Sequence, residues 1–292
     1  MINRIGESEL ILNPDGSIFH LHLKPENIAD IVILVGDQDR VDMISKYFEK
    51  TEFKIQNREF KTHTGRFNGK RISVVSTGIG TDNIDIVISE LDAICNIDLT
   101  TRTLRDEHRK LNLIRIGTSG ALQDDIPVDT PVVTEVAIGF DGLLNFYRDR
   151  DSVSNLEMEA LFLKHTEWRP KLAIPYFVQA SDHLIQKIGF DMIKGLTISA
   201  PGFYGPQGRV IRLPLVDDQL NEKITSFRFL DKRINNFEME SSAIYGLSKL
   251  LGHEALTVCS IIANRLRKEY SPDYKKAVEA LVLKTLNRVS DF

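Results

Sequence analysis

Cysteine is almost missing from these 292 residues: Cys95 and Cys259 stand far apart in apolar surroundings, without the spacing of a zinc site or a disulfide framework. Both read as buried, reduced thiols. A surplus of positive charge is missing too, since 37 Lys and Arg against 41 Asp and Glu leave a formal net charge of −4. A nucleic-acid backbone or an anionic membrane is therefore disfavoured as a partner. No apolar run reaches the length of a membrane span, and residues 1–20 lack the basic start and apolar stretch of a signal peptide. The cytoplasm is the expected location. Low-complexity tracts, repeats of solenoid period and Pro/Gly/Ser linkers are also lacking. One domain is expected over 1–292, with 1–18 as an N-terminal extension.

What is present is a globular composition, 42% hydrophobic and 27% charged, which supplies a sizeable core. Ile31-Val32-Ile33-Leu34-Val35 is an unbroken apolar run ended by Gly36, as expected of a strand buried on both faces. Runs of similar character occur at 72–76, 111–116, 131–134 and 255–262. Between them, apolar residues at helical intervals predict helices over 40–48, 84–94, 182–193, 241–251 and 274–289. The alternation predicts an α/β fold, an αβα sandwich around a mixed central sheet. The charged stretch 100–110 reads as a solvated loop or helix extension.

Such sheets place ligands beyond the carboxyl ends of their strands, so the strand-end glycines mark candidate sites. In Gly36-Asp37-Gln38-Asp39-Arg40 the glycine admits an anion close to the backbone, the following helix start offers free N–H groups, and Arg40 adds charge. A Gly-Asp turn that merely caps a helix explains the same residues. In Arg115-Ile116-Gly117-Thr118-Ser119-Gly120 a guanidinium ends an apolar strand, and burying it requires an anion. A structural carboxylate or a bound phosphate satisfies that need. Ser76-Thr77-Gly78-Ile79-Gly80 carries no charge and reads as packing. Glu238-Met239-Glu240, ahead of a small-residue helix, suits the vicinal hydroxyls of a ribose, or simply an acidic helix start. The similar Glu157-Met158-Glu159 reads as surface.

Taken in order, these segments resemble the nucleoside phosphorylase-I family from about residue 20 to the last helix. Arg58-Glu59-Phe60, Phe203-Tyr204-Gly205-Pro206-Gln207-Gly208-Arg209 and Asn264-Arg265 complete the pattern, and the uridine phosphorylases within the family match best. The resemblance implies phosphorolysis of uridine to uracil and ribose 1-phosphate. It implies phosphate binding by Gly36, Arg40, Arg115 and Thr118, with Arg58 arriving from a neighbouring subunit. Glu238, Met239 and Glu240 would hold the ribose, and His20 would reach a neighbour's ribose 5′-hydroxyl. Phe203, Gln207 and Arg209, with Arg265 nearby, match the uracil-binding set. The catalytic burden would fall on Arg115, Gln207, Arg209 and Glu240.

The same resemblance implies self-association, as a dimer or a hexamer of dimers with sites shared between subunits. No cofactor is expected, phosphate being a co-substrate. Some members hold a monovalent cation between subunits with a glutamate matching Glu59 and a serine, but Asn83 stands at the serine position and weakens that expectation. Purine-cleaving relatives carry an aspartic acid near the base, where this chain reads Ile261-Ile262-Ala263-Asn264-Arg265. Another nucleoside, a hydrolytic nucleosidase and a non-catalytic binding homologue are the alternatives. The stretch 100–110 is longer than expected, and 143–175 matches poorly.

Overall fold

A strand with no polar interruption can be hydrated on neither face, and β1 (Ile31–Val35), buried at every residue, forms the middle of the sheet. The computed structural model describes residues 4–292, so the first three residues of the expected N-terminal extension lie outside it. On one side of β1 follow β4 (Lys70–Ser76), β3 (Phe60–Phe67) and β2 (Lys50–Asn57), the first parallel to β1 and the other two antiparallel in turn. On the other side lie β7 (Asn112–Ala121) and β13 (Glu254–Asn264), both parallel, then β8 (Pro131–Gly139), β10 (Ile193–Ser199), β12 (Lys232–Glu238) and β11 (Arg228–Phe229). The sheet is mixed on this side too, since β13 meets β8 antiparallel. Asn236 and Phe237 of β12 also pair with Ala121 and Gly120 of β7. That contact curls β7, β13, β8, β10 and β12 into a closed ring.

Helices cover both faces, as the α/β expectation requires. Thr257 of β13 accepts a hydrogen bond from Ser241 of α7 (Ser241–Leu250). Ser260, three residues further and thus on the opposite face, borders α8 (Tyr274–Ser290). Against α7 packs α2 (Thr81–Asn96), and α1 (Gln38–Ser45) lies against β3 and β4. The main apolar cluster runs from Leu10 and Ile18 through β1, β7 and α2 to Val289. A second cluster, with Ile138, Phe162, Phe177 and Ile198, fills the curled half. Among the described residues no helix is long and apolar enough to cross a membrane.

Several sequence expectations need correction. The strand expected to stop at Ile116 continues to Ala121, so Arg115 sits inside β7. The helix expected over 182–193 ends at Ile188, and Ile193 opens β10. The segment 100–110 is not simply solvated: Thr103–Leu104 pairs with Ile97–Asp98, and Arg109 donates to Asp30 and to the carbonyls of Pro25 and Ile28. Glu159 is not a surface carboxylate either. It pairs at 2.7 Å with the buried Arg150, and Met158 beside it is buried.

One buried histidine carries a pH consequence. His63 on β3 shares a 2.7 Å hydrogen bond with Ser45, and burial, reinforced by Lys54, holds its pKa down to about 4 against an ordinary 6.5. The unfolded chain takes up a proton near pH 6.5 that folded His63 refuses until about pH 4. Stability is expected to fall across that interval as pH drops. Thermal melts of wild type and His63→Gln at several pH values check this; equal slopes between pH 6.5 and 4 would contradict it.

Candidate active site

Arg115 is 6% exposed, and a guanidinium so deep needs counter-charge. Its Nη2 donates to Glu240 and lies 3.6 Å from Glu238. Both anionic partners therefore come from the segment that the sequence marked for ribose. Burial alone would lower Arg115, but the Glu240 and Glu238 charges outweigh it and raise the pKa. Burial also pushes the Glu240 carboxyl up against the pull of Arg115, with Glu238 adding to the rise. Two carboxylates sharing one guanidinium account for both directions.

The two carboxylates divide their work. Glu238 ends β12 and accepts the backbone N–H groups of Glu240 and Ser241, each at 3.0 Å, together with the Ser199 hydroxyl. Its carboxylate meets the positive end of α7 from two residues before the N-cap Glu240, which is the acidic-helix-start role. Glu240 instead turns to Arg115 and accepts the N–H of Gly80 at 2.8 Å. Thus Ser76 to Gly80, read as packing, supplies a contact to a site carboxylate. Met239 between the two glutamates is half-buried.

Arg40 closes the other side. It emerges from α1, whose cap is Asp37 through a 2.9 Å bond to the Arg40 N–H. Its guanidinium pairs with Asp37 at 2.7 Å and donates to the carbonyl of Ile116, the residue after Arg115, at 3.2 Å. Burial lowers its pKa despite Asp37. Gly36, directly after β1, leaves open space: a methyl group there would meet nothing nearer than the Gly78 carbonyl at 3.8 Å. Thr118 lies half-buried further along β7. Gly36 just past β1, and Arg40 through its bond to Ile116, thus lie beside Arg115 within β7, with Thr118 three residues further along the same strand.

A second group gathers at the far end of β7. Gln207 is 3% exposed, and its side-chain oxygen accepts from Arg209 at 2.5 Å, which leaves the amide N–H groups to other acceptors. Arg209 also stacks on the Phe203 ring at 3.9 Å. Arg265 donates to the Gln207 backbone carbonyl at 2.5 Å. Burial lowers Arg209, and burial with repulsion from Arg209 brings Arg265 down to about 10. Neither arginine has a carboxylate partner among the described residues. A methyl group at Gly120 would lie 4.0 Å from Arg209 Nη2, so β7 carries both groups, Arg115 at one point and Gly120 at another. Beside Arg209 opens a cavity of about 610 Å³ lined by Phe140, Trp168, Tyr204, Pro206, Leu213 and Leu220.

His20 and Arg58 stand apart from the Arg40 and Arg115 set, with which neither makes a polar contact. Glu90 accepts the His20 backbone N–H at 3.0 Å and its Nδ1 lies 2.6 Å from the same carboxylate. Arg58 is exposed on the turn between β2 and β3, 5.9 Å from the Phe19 ring. Asp37, Gly80 and Ser199 escaped the sequence reading as site supports. Ser199 ends a strand as Ser76 does, but β10 is not among the strands the sequence marks, and its first residue, Ile193, falls at the end of the expected helix.

The chain belongs to the phosphorylase superfamily, whose family model matches residues 30–291. It is 29% identical over 278 residues to the uridine phosphorylase of Thermococcus kodakarensis, covering 92% of this chain and 86% of that one. A DeoD-type purine nucleoside phosphorylase of Oceanobacillus iheyensis is 26% identical, with 83% and 85% covered. Among solved structures, a Trypanosoma brucei nucleoside phosphorylase described as showing uridine phosphorylase activity superposes with a TM-score of 0.84. The two share 28% identity over 95% of this chain and 99% of that one.

Proposed function

We propose that the protein is a uridine phosphorylase, joining inorganic phosphate to the anomeric carbon of uridine and releasing uracil. The observation that carries this reading is the Gln207, Arg209 and Arg265 group, which offers donors and two partly buried positive charges with no carboxylate among them. A leaving uracil takes the electron pair of the breaking glycosidic bond and spreads negative charge onto its oxygens. Donors already in place favour that state over the neutral substrate. A purine needs a proton at its ring as it leaves, and Asn264, which ends β13, has its side chain committed to the carbonyls of Gln123 and Ile126.

At the other end, Gly36, Arg40, Arg115 and Thr118 hold phosphate so that its attack becomes effectively intramolecular. Glu240 accepts the ribose hydroxyls while Met239 packs below the sugar, and Glu238 keeps the α7 terminus fixed beneath them. One C–O bond forms and one C–N bond breaks. The uracil anion then takes a proton from solvent. Arg58 and His20 complete the site across a subunit boundary, which makes a dimer, alone or within a hexamer, the working unit; the exposure of Arg58 and its lack of a carboxylate partner among the described residues support this. The cytoplasm suits the two buried thiols, with Cys259 pushed up to about 12 by burial.

Uracil release measured with and without phosphate tests the reading. Release is expected from uridine only when phosphate is present, with ribose 1-phosphate as co-product. Equal release in its absence would identify a nucleosidase, and a preference for inosine would identify a purine enzyme.

A further inference from the structure

Away from the Arg115 site, three metal-ligating side chains converge from separate elements. Asp92 lies on α2, His108 in the segment 100–110, and His253 in the turn between α7 and β13. One donor atom of each lies within 4.8 Å of the others. Thr257, the β13 partner of Arg115, is four residues beyond His253, about 13 Å of strand. We propose that Asp92, His108 and His253 form a binding site for a divalent transition-metal ion of the zinc type.

The second observation is an orphaned nitrogen. The His253 side chain is 0% exposed, yet its Nε2 makes no hydrogen bond, although Asp92 Oδ1 lies only 3.2 Å away. Donors bound at about 2.0–2.1 Å to one tetrahedral ion stand roughly 3.3 Å apart, and each lies well off the other's lone-pair axis. Shared ligation therefore explains a contact that is close without being a hydrogen bond. His108 and His253 stack with ring centroids 5.5 Å apart. The Nε2 of His108 bonds the Leu251 carbonyl at 2.9 Å, which leaves Nδ1 for the ion. Asn96 donates to Asp92 Oδ1 at 2.7 Å and fixes the carboxylate.

Binding has one local cost. Leu111 N–H approaches His253 Nδ1 at 3.3 Å, and that long bond is lost when Nδ1 carries the proton and Nε2 meets the metal. His108 is exposed, so its inward movement closes the third side, and water completes the coordination. Two imidazoles and one carboxylate favour zinc, cobalt or nickel over magnesium and calcium, which prefer all-oxygen sites. An ion here would clip the segment 100–110 to α2 and to the start of β13.

The test uses the full chain, stripped with chelator and titrated with zinc chloride by calorimetry, beside His108→Ala, an exposed change that spares the core. Wild type is expected to bind one ion per chain at micromolar or tighter affinity and to melt at least about 3 °C higher with saturating zinc. His108→Ala should bind at least tenfold more weakly, with uridine turnover unchanged. Cobalt should give the intense visible absorption of tetrahedral coordination in wild type only. Equal zinc affinity in the two proteins, or no stoichiometric binding in wild type, overturns the proposal. A stable Asp92→Asn variant that binds zinc as tightly as wild type would do the same.

Discussion

Replacing Arg115 with alanine is expected to slow uridine phosphorolysis by about 10²- to 10³-fold, comparable to removing one preorganised donor from a transition state. The same change should lower folding stability by about 3–5 kcal/mol, because Glu238 and Glu240 are left buried without counter-charge. The two effects separate by assaying turnover well below the variant's melting temperature. The stability deficit should also depend on pH. Glu240 already has a raised pKa and rises further without Arg115, so the folded variant binds protons more tightly than the unfolded one. Its stability should therefore decline as pH climbs above the ordinary glutamate value near 4.5. Denaturant titrations at pH 5 and 8 measure this, and a turnover loss below tenfold would remove Arg115 from the proposed phosphate site.

A single methyl group two residues away should be nearly as damaging. In Gly117→Ala the new Cβ would overlap the Arg115 guanidinium and stand 3.0 Å from Cys259 Sγ. Neither neighbour has room, since both are buried in the same layer. Overpacking of this kind costs about 1–3 kcal/mol. A guanidinium displaced by an ångström should lower kcat/KM about 10²-fold. Calorimetric melting and steady-state kinetics on the variant check both figures; unchanged turnover would mean that Arg115 need not hold its present position.

How much could be read in advance followed from how each residue meets water. Ile31–Val35 was legible because burial on both faces leaves an unbroken apolar run. Lys50–Asn57 was not, because as an edge strand it alternates exposed with half-buried positions and reads as polar. Gly117 to Gly120 has the composition of a turn but continues β7, and at Gly117 the missing side chain makes room for Arg115. Within the site, Arg115 announced an anion and Glu240 a hydroxyl partner, yet their contact joins residues 125 positions apart. Local pattern carries no trace of such a pairing. Glu159 shows the same limit, for nothing near it in sequence betrays that Arg150 turns it inward.

The pairing of β12 with β7 that curls the sheet also sets an order of events. Gly120 waits for Phe237, and Arg115 for Glu238 and Glu240, so the anion cradle is completed only by contacts of very long sequence separation. Loop closure on that scale slows folding and comes late. On the ribosome, a nascent chain that has exposed β1, α1 and β7 would hold Arg40 with its local partner Asp37 but Arg115 without its carboxylates until some 120 further residues emerge. Phosphate, the co-substrate of the proposed reaction, would in that interval be a natural counter-ion for the waiting Arg115 and so a folding ligand as well.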